Sequence, residues 1–342
     1  MSENESDKEQ QQQMEKIFIC ADVWLGVFAF LCPFDVGLKM ALISDRLDVL
    51  VDVHFKSREW SFGWMEIRRA DDGNGAEMVN RSRKRLSIPQ EPLPGKVTGF
   101  EWITISYIDQ TVIEFLERIR PLFDSSGTNV WIHSGDQSRS LRIIRQNILP
   151  LVSGNVCGFL LHAHVLYRLR KFSPAILRNC ANLRSINSYG LFPEFPAKDN
   201  AGAWSAEALA KWLITPRGDG LPKMLRCFYS RGMEEIKASF GNASESVNFI
   251  IRLSSSSGFE PFEMKNNWTG EQLTLRHFKR DIWLLVRCPI GREEDKWTNW
   301  EKEAIEWEWH RQRNCIFVNF EDRDIGDGMI EAAKAGPSEC KK

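Results

Sequence analysis

Phe100-Glu-Trp-Ile-Thr-Ile-Ser106, Thr128-Asn-Val-Trp-Ile-His133, Val156-Cys-Gly-Phe-Leu-Leu-His162 and Leu183-Arg-Ser-Ile-Asn187 set the architecture of this 342-residue chain. Each is a short run rich in apolar, β-branched and aromatic residues, the composition of a strand. The runs start about 28 residues apart, and Met224-Leu-Arg-Cys-Phe-Tyr229 and Val247-Asn-Phe-Ile-Ile-Arg-Leu253 continue them less regularly. Helical stripes lie between them. Val112, Phe115, Leu116 and Ile119 form one, with Asp109 as its N-cap. Leu141, Ile144 and Ile148 form the next, then Leu166, Leu169, Phe172 and Ile176, then Trp204, Leu209, Trp212 and Leu213. A strand–helix unit of this length cannot bury both its faces alone, so units stack with parallel strands and the helices outside. The fold class is therefore α/β, with an array that is leucine-rich-repeat-like. The repeat signature is not intact; only Leu177-Arg-Asn-Cys180-Ala-Asn-Leu183-Arg-Ser-Ile186 resembles its cysteine-containing form, and a plain open α/β sheet is the alternative.

Outward from the array, the C-terminal side changes character. Glu260–Met264, Gln272–Arg276 and Asp281–Arg287 read as an antiparallel meander capping it, with a turn at Asn266–Gly270. Lys296 to Arg311 reads as a Trp-rich helix. Its stripe of Trp297, Trp300, Ala304 and Trp307 suits core packing, with Glu301, Glu303, Glu306 and Glu308 on the solvated side. Cys315 to Phe320 is a last strand. On the N-terminal side, Trp60 to Arg69 reads as a strand turning at Asp71-Asp72-Gly73-Asn74-Gly75. The cluster Arg81-Ser82-Arg83-Lys84-Arg85 reads as a solvated loop, and Pro89, Pro92 and Pro94 as an extended linker.

Ile17 to Phe55 forms a separate problem. Val23 to Leu31 is apolar on nearly every side, where a surface helix should show one stripe. Pro33 ends that run, Leu38, Ala41 and Leu42 give a second short helix one face, and Ile43, Leu47, Leu50 and Val51 align on a third. Three helices in about 40 residues make a small core, so the segment keeps an apolar surface for a partner. The organisation that follows is a polar, disordered tail over 1–16, a helical module over 17–57, a hairpin and Pro-rich linker over 58–99, the α/β domain over 100–320 and a disordered tail over 321–342.

The helical module resembles an F-box. Asp22-Val23, Val27-Phe28, Leu31-Cys32-Pro33-Phe34-Asp35-Val36 and Leu42-Ile43-Ser44 follow the family pattern. Cys20 replaces the usual helix-starting Pro, and Leu47 stands where Trp is frequent. Pro261-Phe262-Glu263, Asn267-Trp268-Thr269-Gly270-Glu271 and Trp297-Thr298-Asn299-Trp300-Glu301-Lys302-Glu303-Ala304 resemble segments of the expanded nematode families that join an F-box to an α/β region. The resemblance implies a substrate-recognition subunit of a cullin–RING ubiquitin ligase, acting in ubiquitin-dependent protein degradation. The module would dock a Skp-type adaptor, and through it a cullin, by Ile19, Val23, Val27, Phe28, Leu31, Pro33, Leu38, Leu42 and Ile43. The α/β domain would hold a target protein. The alternative is a protein-binding module unrelated to ubiquitin, with the N-terminal helices as a structural cap. Asp22 and the shortness of the apolar run argue against a membrane anchor.

Chemistry is scarce in the remainder. A net charge of −1 exerts no general pull toward nucleic acid or an anionic membrane, so neither is an expected partner. The 8 cysteines lack paired spacing, which fits reduced thiols in a cytoplasmic or nuclear protein. Cys157, Cys180, Cys227 and Cys288 lie in apolar runs and read as inert. His162 and His164 share a strand face without a spaced third ligand, so they read as structural rather than metal-binding. Asp322 to Gly328 lacks calcium-loop spacing. No phosphate loop, nucleophile elbow or dinucleotide fingerprint appears. The expectation is a non-catalytic protein with no cofactor and no metal.

Overall fold

A computed structural model describes residues 19–31, 35–56, 60–90, 97–133, 138–228, 231–255 and 259–327, with Met329. The tails expected over 1–16 and beyond 329, Pro33 and most of the Pro-rich linker lie outside the described residues. The chain divides into two compact units, one holding the described residues up to Lys56 and the other those from Trp60 onward.

The first unit is helical. Ala21–Phe28 is an α-helix, Val36–Met40 a π turn running into the 3-10 turn Ala41–Ile43, and Asp45–Lys56 an α-helix. Ser44 separates the last two, because it is extended (φ −166°) and its hydroxyl accepts the Leu47 N–H at 3.3 Å, as an N-cap does. Asp45 and Asp48 add negative charge where that helix's dipole is positive. Phe28, Val36, Ala41, Leu47, Leu50, Val51 and Phe55 are buried. Phe28 meets the His54 ring edge-on at 5.6 Å, and Arg46 Nη2 donates to the Ile19 carbonyl at 2.6 Å, tying the first helix to the last.

The second unit is built on one sheet. Its strands are β1 (Trp60–Ser61), β2 (Trp64–Arg69), β3 (Ala76–Asn80), β4 (Arg85–Ser87), β5 (Val97–Gly99), β6 (Trp102–Ile105), β7 (Thr128–Ile132), β8 (Val156–His162), β9 (Ser185–Tyr189), β10 (Lys223–Phe228), β11 (Phe249–Ser254), β12 (Phe262–Asn266), β13 (Glu271–Lys279), β14 (Ile282–Pro289) and β15 (Cys315–Val318). β1 and β5 pair with each other, and the other thirteen run in the order β12-β13-β14-β11-β10-β9-β8-β7-β15-β6-β2-β3-β4. From β2 to β11 all neighbours are parallel, and antiparallel strands finish both ends. The chain steps one way from β7 to β11 through helical crossovers and returns from β14 to β15 through the helix Glu294–Glu306. Trp297 and Ala304 of that helix pack on Met224, Ile250, Leu284, Val286 and Cys288, which alternate with the equally buried Leu225, Ile251 and Leu285.

Several expected elements are present. Asp109 caps the helix Gln110–Arg118, its carboxylate accepting the Val112 N–H at 3.0 Å. β2 and β3 form the hairpin, with Gly73 and Gly75 taking the positive φ of its turn. β12, β13 and β14 form the meander against β11.

Other expectations are corrected. The last strand, β15, lies between β6 and β7, so the Phe100 and Thr128 runs are not neighbours as the regular spacing implied. The segment 58–99 contributes edge strands to the same sheet, because β2 pairs in parallel with β6. Residues 321–327 are tied down. The Ile108 N–H donates to the Asp324 carbonyl at 3.0 Å, and the Gly326 N–H to the Ile108 carbonyl at 2.7 Å. The Trp-rich helix ends at Glu306, leaving Trp307 beyond it. Glu301 is not solvated; it is 6% exposed and pairs with Arg276 and with Arg292 at 2.9 Å. Trp204 is 67% exposed rather than core, stacking on Tyr167 at the mouth of the helix Ser205–Leu213.

Candidate functional site

Of the residues expected to meet an adaptor, the structure buries one and exposes four. Phe28 is 1% exposed, whereas Val23 (53%), Val27 (40%), Leu42 (50%) and Ile43 (64%) face water. Ile19 and Leu31 are half-buried. Leu38 lies within the π turn Val36–Met40, and Pro33 is not among the described residues. Phe30, Val49 and Val53 are exposed as well, so this small unit leaves a large fraction of its apolar side chains in water.

The sheet presents a second candidate surface, on the face that carries the helix Glu294–Glu306. Strand alternation and the parallel register place Thr104, Phe317, Trp131, Leu160, Asn187, Arg226 and Arg252 in one row across seven strands. One residue pair nearer the strand ends, His133, His162, Tyr189 and Phe228 make a second row. The ring centroids of His133 and His162 lie 5.8 Å apart, His162 and Tyr189 stack at 5.0 Å, and Tyr189 and Phe228 lie 6.3 Å apart. Tyr189 is 39% and Phe228 56% exposed. The first row is anchored by aromatic packing. Trp131 stacks on Phe317 at 4.1 Å and meets Trp102 and Trp309 edge-on. Trp307 covers Gly158, where a Cβ would sit 3.7 Å from the Trp307 ring and 2.3 Å from Asn129 Oδ1, so any larger residue would displace the Asn129 side chain.

The polar end of this face is unusual. Arg226 and Arg252 are register partners on β10 and β11, two like charges side by side. Arg226 donates to the Trp307 carbonyl at 3.3 Å. Arg252 is 8% exposed, and its Nε and Nη1 have no hydrogen-bond partner. Burial, then the neighbouring Arg226, lowers its pKa, and Glu308 opposes that shift.

Sequence reading singled out His162 and His164 but not the row to which His162 belongs. His133 and His162 each close their apolar run, but Tyr189 and Phe228 do not stand at the ends of theirs, so the row follows from the strand register alone. The histidines are 5.6–5.8 Å apart between ring centroids, yet among the described residues no group of three His, Cys, Asp or Glu is placed to hold a metal ion. Burial lowers the His162 pKa, aided by His164 and His133. The thiols of Cys180 and Cys315 are pushed up to about 12 by burial, and those of Cys157, Cys227 and Cys288 are raised by the same cause, which keeps them protonated. Among the described residues, no helix is long and apolar enough to cross a membrane. Comparison with protein-family models, with curated proteins and with solved structures found no match.

Proposed function

We propose that this chain is a non-catalytic receptor subunit of F-box type, in which the N-terminal helices dock a Skp-type adaptor, and through it a cullin, while the sheet unit holds a target for ubiquitin transfer. The observation that carries this reading is the exposure of Val23, Val27, Leu42 and Ile43 on a compact helical unit distinct from the sheet. Apolar side chains left in water at this density mark an interaction surface. Phe28 then serves the module's own core, and the half-buried Ile19 and Leu31 border the contact. The stretch β7–β11 is leucine-rich-repeat-like in this reading, supported by the burial of Leu177, Cys180, Leu183 and Ile186 at the signature positions. The chain's part in the reaction is proximity, raising the effective concentration of a target's lysines near the ligase.

The test is co-elution of the purified chain with a Skp-type adaptor in gel filtration. A one-to-one complex is expected. Val23→Asp with Ile43→Asp should abolish it without changing the unfolding curve, because both side chains are exposed. No complex with the unmodified chain, or a complex that survives the double substitution, overturns the assignment.

A further inference from the structure

Of the two first-row arginines, Arg226 donates to the Trp307 carbonyl and Arg252 leaves two donors unpartnered. A buried donor without a partner costs about 1–3 kcal/mol, and more when it belongs to a charged group. Arg252 carries two such donors and faces a second guanidinium across the strand pair. The opposing charge that acts on it is Glu308, whose carboxylate also approaches Arg311 at 3.9 Å. Beside the pair lie the buried Asn187 and the exposed Phe228 and Tyr189.

We infer that Arg226 and Arg252 form a socket for an acidic side chain of a target peptide, which lies across the strands on the row His133, His162, Tyr189 and Phe228. This rests on the receptor reading above and names the chemistry that the target must present. An acceptor-only group, a carboxylate or a phosphate, matches two guanidinium groups and forms the stronger, charge-assisted class of hydrogen bond. Tyr and Arg are the residue types that dominate binding at interfaces, because they bring area and directed hydrogen bonds with little loss of freedom. The row from β7 to β10 spans three strand spacings, about 14 Å, which four to five residues of extended peptide cover. A peptide suits this face better than a nucleic acid strand. Phosphate tracking needs a run of cations, whereas this row carries two arginines with Glu308 opposing one of them, and the chain's net charge is −1.

The experiment uses the full chain, immobilised, and three pools of short synthetic peptides, random except for a fixed central Asp, phosphoserine or Asn. The Asp or phosphoserine pool should be retained roughly tenfold or more over the Asn pool, with aromatic and aliphatic residues enriched beside the acid. Preference for phosphoserine over Asp assigns the socket to phosphate; equal or weaker retention assigns it to carboxylate. Arg226→Gln and Arg252→Gln should each erase the preference, and Phe228→Ala should erase the aromatic enrichment. Arg226 is half-exposed, so its variant tests the socket even where Arg252→Gln fails to fold. Equal retention of the Asn pool, or an acidic preference that survives both arginine variants, overturns the inference. So does single-stranded oligothymidylate that binds at these arginines and displaces the peptides. The adaptor co-elution is a separate readout. Its failure with a working socket removes the ligase reading alone, and its success with no acidic preference removes the socket alone.

Discussion

Replacing Glu271 with Gln should strand Arg287 as an uncompensated cation inside the β13–β14 pairing. The two side chains are 1% and 3% exposed. Glu271 Oε2 accepts from Arg287 Nη2 at 2.6 Å and from Nε at 3.1 Å, and Oε1 accepts the Val247 N–H at 2.7 Å. Arg287 Nη2 also donates to the Glu245 carbonyl at 2.8 Å, and its guanidinium lies 5.2 Å from the centre of the Phe240 ring. Glutamine keeps the volume and one acceptor oxygen, but its amide nitrogen only donates, so either Arg287 or the Val247 N–H loses its acceptor along with the charge. Breaking a buried pair from one side costs about 3–5 kcal/mol. At about 2–4 °C per kcal/mol for a domain of 150–250 residues, the midpoint should fall by roughly 6–20 °C. Arg287→Met should cost a similar amount, because it leaves Glu271 charged and buried. The double variant should lose much less than the sum of the singles, since an apolar residue still packs against Phe240 and no lone charge remains. Urea and thermal unfolding of the four proteins, followed by Trp fluorescence and far-UV circular dichroism, give the cycle. A Glu271→Gln loss below about 1 kcal/mol, or additive losses in the double variant, would refute the argument that burial of the pair sets its magnitude.

Two further outcomes follow from buried groups. Burial, with Arg217 nearby, lowers the Lys223 pKa to about 7 from 10.5, and its amine donates to the Trp212 and Thr215 carbonyls. The unfolded chain therefore binds the extra proton between about pH 7 and 10.5, so this group makes stability rise with pH across that window and lowers it as pH falls through 7. The difference in denaturant midpoint between the unmodified chain and Lys223→Met should change with pH in that window, and a constant difference would contradict the burial argument. Alkylation mapped by mass spectrometry at pH 8 should find the exposed Cys20 modified and Cys180 and Cys315 protected until the chain unfolds. Modification of either buried thiol in the folded protein would show that these sites open.

The strand runs were legible because alternation and β-branched content are local properties, and so were the Asp109 cap and the glycine turn after β2. The neighbour of a strand is not local. Cys-Ile-Phe-Val at 315–318 carries nothing that selects β6 and β7 as its partners, and the regular spacing from Phe100 to Thr128 suggested the opposite. Glu301 shows the same limit. Standing four residues after Trp297 and three before Ala304, it borders the Trp stripe, but the partners that allow its burial are not local: Arg276 comes from β13 and Arg292 from the loop before the helix, and together they make burial of a carboxylate possible. The N-terminal segment was legible as helical and under-partnered, yet an apolar cylinder offers no clue to which side faces inward. Packing sorted Phe28 from Val23 and Val27. The Arg226–Arg252 pair was visible only once register was known, since the two residues stand far apart in the chain.

The central position of β15 has a consequence for synthesis. A ribosome delivers β2 to β4 and β6, then β7 to β14, long before residues 315–318 emerge. Until then β6 and β7 each present an unpaired edge, of the kind that recruits strands from other chains. The last-made strand closes the gap between two finished halves, as a keystone does. A chain cut between β14 and residue 315 would thus leave β6 and β7 with open edges rather than being a slightly shorter protein.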